Sequence, residues 1–510
     1  MVKKLALFAF VLYLNTLSCF AQPGTFDASF GIDGKMNDEL GTAQFLLDLA
    51  LQPDGKIVGV GQLNFNSENN EFFVVRYNSD GSKDTEFGIA GLNTTLFGVS
   101  SGANTVALQS DGKIVVAGFT SSQHITNGIT TSYKIMAVRY NSDGTLDTTF
   151  NTTGIFTFAN EWTGYIKDIA IQEDGKIVMA GSMGDRPVLV RLNEDGTLDT
   201  SFAETGYTNN LPVGGWGTPG IYNKLKICSD GSIVAAGRLG IDMLLSKYNS
   251  DGTLYATFGN QGVVMVAGLP NTALANGLTI TSNDDILLSG EVYNGDLSDG
   301  VVAKFNENGV LVTDFADNGF LITNLGTGMS MSGIEVAMSN NKIVVGYLSG
   351  TIYNYDFTIA AYHLNGNADT SFGTNGSTTF FFDDPVRHDY LRSMIVQPDG
   401  KILVGGRSWG GISIGRLYGV SDETADVSKI NKNKFILYPN PVKKGFNIQA
   451  TNIYSTKQIQ IFNILGVRVH EQEFIGSNAH IESGNLPAGI YTAIIKHSGG
   501  TDVLKFTVIN

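Results

Sequence analysis

Oxygen-rich turns are the first feature of this sequence that could do chemistry. An Asn-x-Asp-Gly-x-x-Asp pattern places Asn78, Asp80 and Asp84 together, then Asn141, Asp143 and Asp147, then Asn193, Asp195 and Asp199. Closely spaced oxygen ligands suit calcium, so Asp80, Asp84, Asp143, Asp147, Asp195 and Asp199 are weak candidate ligands. The pattern lacks the bidentate Glu and the full spacing of a calcium loop. Asp and Asn also favour turns by bonding their own backbone. A structural role is therefore expected, with Asp84, Asp147, Asp199 and Asp369 bonding nearby amides.

Catalytic signals are sparse. The histidines are His124, His363, His388, His470, His480 and His497, without metal-ligand spacing. No Gly-x-Ser-x-Gly elbow or phosphate loop occurs in context. The best acid–base cluster is Asp383, Asp384, Arg387 and His388, in FFFDDPVRHDY from Phe380. One such cluster reads as a solvated loop before it reads as an active site. No catalytic, cofactor or firm metal residue is assigned, and an enzyme is not the favoured reading. Cys228 stands where sister segments carry Gln52, Gln109, Gln172 and Gln397; a half-buried thiol is expected there rather than a nucleophile.

The elements that would position such residues follow from composition and pattern. The chain has 510 residues with 62 Gly, 10% aromatic and 16% charged residues. That mix fits many short strands joined by Gly-rich turns. A net charge of −15 disfavours nucleic acid as a partner. Lys3 and Lys4, the apolar run 5–17 and Cys19-Phe20-Ala21 form a signal peptide with cleavage expected after Ala21. The run is short for a membrane span, so no transmembrane segment is expected after cleavage. Cys228 then remains alone, without an intrachain disulfide.

Two blocks recur through the body. The first reads LQPDGKIVGVG from Leu51 and returns from Leu108, Ile171, Ile227 and Val396, with degenerate copies from Ile280 and Met338. Its turn residues are Gly55, Gly112, Gly175, Gly231, Asp285, Asn341 and Gly400, spaced by about 57 residues. The second reads VRYNSDGSKDTEFGIAG from Val75, and its Phe recurs as Phe30, Phe87, Phe150, Phe202, Phe258, Phe315 and Phe372. Asp-Gly between alternating runs marks hairpins, giving about four strands per unit. Phe30 precedes any first block, and the strand from Ile412 begins a second block that never finishes. A closed ring explains a repeat split between the two ends, whereas an open solenoid does not. The expected fold is all-β: a seven-bladed β-propeller closed by its N- and C-terminal strands, over 22–419.

These blocks resemble the delta-60 repeat family of bacterial exported proteins. The resemblance implies a propeller-like fold without assigned chemistry. The copies headed by Asp285 and Asn341 lack the hairpin Gly, which puts their turns in question.

A polar stretch at 420–434 reads as a linker. Short alternating strands fill 435–510 and suggest a small, immunoglobulin-like β-sandwich. This module resembles the type A C-terminal sorting domain of the type IX secretion system. The matching residues are Tyr438-Pro439-Asn440-Pro441, the Phe446-Asn447-Ile448 strand, Ile461-Phe462-Asn463 with Gly466, Leu486 to Tyr491 including Gly489, and Lys505-Phe506. The resemblance implies Bacteroidota origin, Sec export, recognition by the type IX machinery, and release or surface attachment. Gly489 is expected to serve a tight turn.

Residues repeated in every unit support the unit, so function is expected where the repeat breaks. The breaks are 62–72, 119–134, 211–222, 347–357, the Phe380 loop and Trp409. Trp216, Tyr222, Tyr353, Tyr355 and Trp409 are candidate aromatics of a face for glycan or protein; packing inside long loops competes with that reading. The expected function is a secreted or cell-surface binding module. The rivals are a polysaccharide-acting hydrolase or lyase and a calcium-stabilised adhesin.

Overall fold

The computed structural model describes residues 22–509, apart from 42–43, 64–69, 122–132, 159–161, 209–210, 215–217, 270, 324–329, 352–353, 384–386, 410, 421–434, 439–440, 451–456, 464–466, 477, 483–485 and 498–499. The expected signal peptide and nearly all of the expected linker lie outside the described residues. The chain separates into two compact units, 1–421 and 422–510.

The first unit is built of antiparallel sheets. The strands Phe45–Leu51, Ile57–Leu63, Glu71–Tyr77 and Leu92–Thr95 pair in chain order. The same arrangement recurs in every repeat, so that seven sheets are present among the described residues of this unit. The sheet of Gly164–Ile171, Ile177–Met183 and Arg186–Leu192 has three strands, with Tyr207 bridging Val190 beside its outer edge. The last sheet takes its outer strand from the other end of the chain: Lys35–Asp38 pairs with Gly411–Leu417.

One glycine explains the geometry of the first strand in six of the seven sheets; in the sheet of Ser330–Ser339, Tyr347 takes that position opposite Gly333. The first block closes on Gly61, Gly118, Gly181, Gly237, Gly290 and Gly406. A Cβ on these residues would lie 1.8–2.1 Å from the carbonyl oxygen of the facing strand. That close approach accompanies a β-bulge. The register slips between Leu46 and Asp48, Ala103 and Thr105, Ile166 and Asp168, Tyr222 and Lys224, Ala275 and Gly277, Gly333 and Glu335, and Leu391 and Ser393. A bulge inserts one residue and re-aims its side chain. We expect Gly181→Ala to lower stability by about 1–3 kcal/mol, as overpacking does. Denaturant melts would check this, and an unchanged midpoint would refute the close approach.

The second block builds a charged cluster under four of the sheets. Arg139 Nε donates to Asp147 at 2.7 Å, Lys113 approaches the same carboxylate at 3.3 Å, and the guanidinium lies 4.7 Å from the Phe150 centroid. Arg76 with Asp84, Lys56 and Phe87 repeats this, as does Arg191 with Asp199, Lys176 and Phe202. The split repeat completes the same cluster from both ends of the body. Arg416 binds Asp27 at 2.8 Å, Lys401 lies 3.3 Å from that carboxylate, and Phe30 sits under the guanidinium. Burial alone would raise these carboxyls. Hydrogen bonds from Thr149 outweigh it for Asp147, and those from Ser201 and Lys176 for Asp199, with the neighbouring arginines adding to both. Both groups are held at about 2. Each does bond a neighbouring backbone amide, and each is neutralised by Arg and Lys besides.

Adjacent repeats are tied by a recurring backbone bond. The residue after each block's Phe donates to a carbonyl in the next repeat: Gly31 to Asp80, Gly88 to Asp143, Asn151 to Asp195, Ala203 to Asp251, Gly259 to Asn308, and Ala316 to Asn365. Gly373 donates to Pro23. Apolar side chains fill the space between sheets. Val58 and Phe72 of one sheet pack with Val106, Val116 and Val138 of the next, all buried. Each such side chain contributes about 1.5–3 kcal/mol.

The two degenerate turns form without glycine. Asp284, rather than Asp285, takes the left-handed position at φ 60°, while Asp285 pairs with Lys304. The register of that copy is thus one residue earlier than the turn assignment above. Asn340 and Asn341 both have positive φ, the geometry of a two-residue hairpin. Asn and Asp tolerate this region because their short side chains bond locally.

The second unit contains a three-stranded sheet, Phe435–Tyr438, Gly445–Ala450 and Asn478–Glu482. A four-stranded sheet runs Arg468–Phe474, Lys457–Asn463, Gly489–His497 and Gly500–Val508. One apolar cluster joins them, including Phe446, Ile461, Tyr491 and Phe506. Asn478–Glu482 is a strand that alternation alone did not mark. Gly489 opens its strand without positive φ and with room for a Cβ, so it serves no left-handed turn.

Candidate functional site

The bulges converge. Their extra residues are Leu47, Asn104, Lys167, Asn223, Asn276, Ile334 and Arg392, and all seven line one cavity of about 370 Å³. A second cavity of about 400 Å³ is lined by residues further along the same strands, including Val106, Ile169, Thr279, Val336 and Met394. Asp48 and Lys224 border both cavities. Together they form a channel between the first strands of the sheets, with a charged belt at mid-height.

The belt holds three carboxylates and one ammonium. Lys224 Nζ lies 2.6 Å from Glu335. Asp48 accepts from the Thr105 hydroxyl at 3.0 Å, the Val106 amide at 3.1 Å and the Ser393 hydroxyl at 3.0 Å. Asp168 accepts the Leu225 amide at 2.8 Å and lies 3.4 Å from the Thr105 hydroxyl. These bonds cross between sheets, so the belt joins non-adjacent parts of the sequence. Burial pushes the Asp48 carboxyl up, opposed by Lys224 and reinforced by Asp168. Burial likewise raises Glu335 against the pull of Lys224 and Lys226. Burial alone would lower Lys224, but Glu335, Asp168 and Asp48 outweigh it and hold the ammonium protonated.

The channel has two unlike ends. Strands alternate in direction within each sheet, so the Asp-Gly hairpins and the Asn-x-Asp-Gly turns all lie at one end. The second-to-third-strand connections and the crossings to the next sheet lie at the other. The described strands that flank the breaks noted from the sequence are second and third strands of one sheet, or the last strand of one sheet and the first of the next. One end is repetitive and the other varies.

The candidate aromatics separate accordingly. Trp409 is 70% exposed at the variable end, with the Arg387 guanidinium 3.8 Å from its ring centroid. Tyr355 lines the cavity of the bulge residues, the upper of the two, and lies 5.3 Å from the His388 ring. Tyr222 is fully buried, and its hydroxyl bonds Ser246 and Tyr248 at 2.8 Å. It is a core residue and not part of a ligand face, because its strand position turns it between sheets. Trp216 and Tyr353 lie outside the described residues. Trp162, 61% exposed at the same end, is an aromatic that the repeat breaks did not mark.

The calcium candidates have other partners. Asp80, Asp143 and Asp195 accept the amide and hydroxyl of Ser82, Thr145 and Thr197 within their own turns. Asp84, Asp147 and Asp199 are ion-paired as described. Of the sorting-motif residues, Tyr491 donates to the Pro487 carbonyl at 2.7 Å. Tyr438 is partly exposed, Pro441 is exposed, and Pro439, Asn440 and Gly466 lie outside the described residues. Cys228 is half-buried, and burial raises its thiol pKa.

The Phe380 loop contains a perturbed carboxyl that the Asp383–His388 cluster did not include. Asp389 is 1% exposed and accepts the Phe382 amide at 2.6 Å. Burial raises its pKa from 3.8 to about 7, against that amide bond, with Asp383 and Asp356 adding to the rise. A raised folded-state pKa stabilises the fold below the unfolded value and loses that stabilisation as pH climbs to 7. Between pH 4 and pH 7 the loss is up to about 1.4 kcal/mol per pH unit. Asp389→Asn should flatten this part of the stability–pH curve and raise the melting temperature at pH 8. Thermal melts across pH 4–8 would check it; a parallel curve for the variant would refute it.

Comparison with known proteins agrees with this architecture. Residues 52–87, 109–150, 172–202 and 397–415 match a family described as "Domain of unknown function (DUF5122) beta-propeller". The chain is a β-propeller repeat protein. Residues 436–510 match the "Secretion system C-terminal sorting domain". It therefore carries a type IX sorting domain, which engages the secretion machinery and directs the chain to the cell surface or beyond. No helix among the described residues is long and apolar enough to cross a membrane. An ulvan lyase of Nonlabens ulvanivorans, NLR42, is 45% identical over 56 residues, which is 11% of this chain. The chain spans about a tenth of that protein's length. Among solved structures, polysaccharide lyase Uly1 aligns with TM-score 0.42 and 13% identity, over 78% of this chain and 97% of that one. Sqt1 from Chaetomium thermophilum aligns with TM-score 0.41 and 12% identity, over 76% and 100%. Likeness at this level carries no chemistry to the present chain.

Proposed function

We propose that the body is a seven-bladed propeller closed by its N-terminal strand, and that it acts outside the cell as a binding module. Its ligand is a glycan or surface protein held at the variable mouth of the channel. The pairing of Lys35–Asp38 with Gly411–Leu417 and the Gly373-to-Pro23 bond support the closure. The two sheets of the second unit support an immunoglobulin-like sandwich. One observation carries the functional reading. Seven aligned bulges place side chains of varied type around one channel, and the connections that differ in length between repeats join described strands at one end of it.

A glycan array and a pull-down with the mature chain test this reading. Trp409→Ala and Trp162→Ala at the variable mouth should lose capture, whereas Leu146→Ser at the repetitive end should keep it. Capture unaffected by the mouth variants would overturn the reading. A second reading, a polysaccharide-acting lyase, is favoured by the Tyr355, His388 and Tyr390 rings, with Tyr390 5.8 Å from Arg392. A base, an acid and a charge-neutralising cation are the groups a proton abstraction beside a carboxylate needs. Appearance of unsaturated ends on polyuronate would establish it, and intact polymer after prolonged incubation would exclude it.

A further inference from the structure

Two cations in the upper cavity stand apart from the pattern of the rest of the protein. Lys167 and Arg392 are bulge residues on opposite sides of the ring, and both line the same wall-to-wall cavity. Elsewhere in the body, Lys56, Arg76, Arg139, Arg191, Lys224 and Arg416 each meet a carboxylate. Neither Lys167 nor Arg392 is paired with a carboxylate among the described residues. Lys167 has the Tyr165 ring at 5.5 Å, and Arg392 has the Tyr390 ring at 5.8 Å. Enclosure lowers the Lys167 pKa, and the positive charge of Arg392 lowers it further. Both side chains project from their strands into open channel space rather than packed core, and like charges lining one cavity repel unless an anion lies between them. Their persistence in a chain of net charge −15 marks a local anion site.

The remaining lining says what bears the anion. Asn104 and Asn223 spend their amide nitrogens on the carbonyls of Ile166 and Ala275, at 2.6 and 2.8 Å. Their carbonyl oxygens remain as acceptors at the bulge positions. Ser298, Ser330 and Ser332 supply hydroxyls along the same cavity. A cavity of about 370 Å³ is within the size range of small-ligand sites. Amides, hydroxyls and cations make up most of its lining, beside the Asp48 and Glu291 carboxylates and the aliphatic Leu47, Ile334 and Leu348, a mixture that suits a polar ligand with several hydroxyls better than an apolar one. Trp162 and Trp409 stand exposed at the same end, where flat rings can stack on further units of a chain.

We propose that this cavity is an acidic-sugar subsite. A carboxylate or sulfate on a saccharide unit bridges Lys167 and Arg392, and its hydroxyls bond the Asn and Ser lining. The inference rests on the binding-module reading and deepens it by naming the ligand class. It commits to saccharide over acidic peptide because hydroxyl-bonding groups, rather than an apolar groove, surround the cation pair.

The test uses mature full-length protein and calorimetric titration. The probes are polyuronate oligosaccharides, the same oligosaccharides with their carboxyls reduced, a sulfated galactan oligosaccharide and polyglutamate. At least one charged saccharide should bind, with carboxyl reduction weakening the uronate at least tenfold. Lys167→Met and Arg392→Met should each weaken the charged ligand at least tenfold while leaving the circular dichroism spectrum unchanged and without lowering the melting temperature. Preference for uronate or for sulfated galactan identifies the oxyanion, and either supports the proposal. Equal binding of charged and reduced sugars, unaffected by both variants, overturns the subsite but leaves the binding-module reading standing. Cation-dependent binding of polyglutamate alone overturns the saccharide assignment. No binding of any probe overturns the subsite, while capture at the mouth tests the broader reading separately. If both variants misfold, Lys167→Gln and Arg392→Gln apply the same criterion.

Discussion

Replacing Lys224 with Met should destabilise the body by about 3–5 kcal/mol, the cost of leaving a partly buried carboxylate without its counter-ion. The ammonium faces Glu335 at 2.6 Å, and the fields of Asp168 and Asp48 also stabilise it. Without it, three carboxylates share one enclosed belt. The loss should depend on pH with a fixed sign. Asp48 and Glu335 already have raised folded-state pKa values, and removing the ammonium raises them further. The folded variant then binds more protons than the unfolded chain, so its stability falls as pH rises above the ordinary carboxylate range. The variant should therefore lie closest to the native protein near pH 4 and furthest from it near pH 8. Adding Glu335→Gln should recover part of the loss, which a double-mutant cycle would measure. Melting within about 0.5 kcal/mol of the native protein at both pH values would show that the belt contributes nothing to holding the sheets.

Removing residues 436–510 should abolish appearance at the cell surface or in the medium. The truncated body should accumulate in the periplasm in folded form. The reason is the separation of the two units. The body has its own apolar clusters between sheets, and the sorting unit has its own core around Phe446, Tyr491 and Phe506. Each unit is compact by itself, so the truncation should remove an address and leave a fold. Fractionation with immunodetection, together with a melt of the periplasmic body, separates the two effects. Normal secretion of the truncated chain would refute the role of the sorting domain. A body that unfolds on truncation would refute the independence of the units. Gly489→Ala within that unit should be tolerated, because the position has ordinary strand geometry and room for a methyl group.

Much of the architecture was legible in the residues. The Asp-Gly hairpins, the spacing of the second block's Phe and the split repeat led directly to sheets that recur in register. Each of these is a local signal: a turn that needs positive φ, a run that alternates, or a Phe fixed by its neighbours. The Asp of the second block was expected to bond backbone amides, and it does. Its partnership with an Arg eight residues before it and a Lys from the preceding hairpin was not visible, because the three meet only when strands pair.

The channel was the least legible feature. Its seven bulge residues are of mixed type: Asn104, Asn223 and Asn276 are amides, Lys167 and Arg392 cations, and Leu47 and Ile334 aliphatic. A signal was present: Asn104, Lys167, Asn223 and Arg392 each stand fourteen positions before the glycine that closes the first block. Reading it required knowing that this glycine faces a bulge. The sequence by itself determined the secretion address, the repeat and the turns, since short-range chemistry writes those into contiguous residues. Only the tertiary structure decided that Tyr222 is core, that the seven bulge residues line one cavity, and that Lys167 and Arg392 are both among them. Those facts depend on the direction of strands and the closeness of sheets far apart in the chain, which no contiguous stretch of sequence contains.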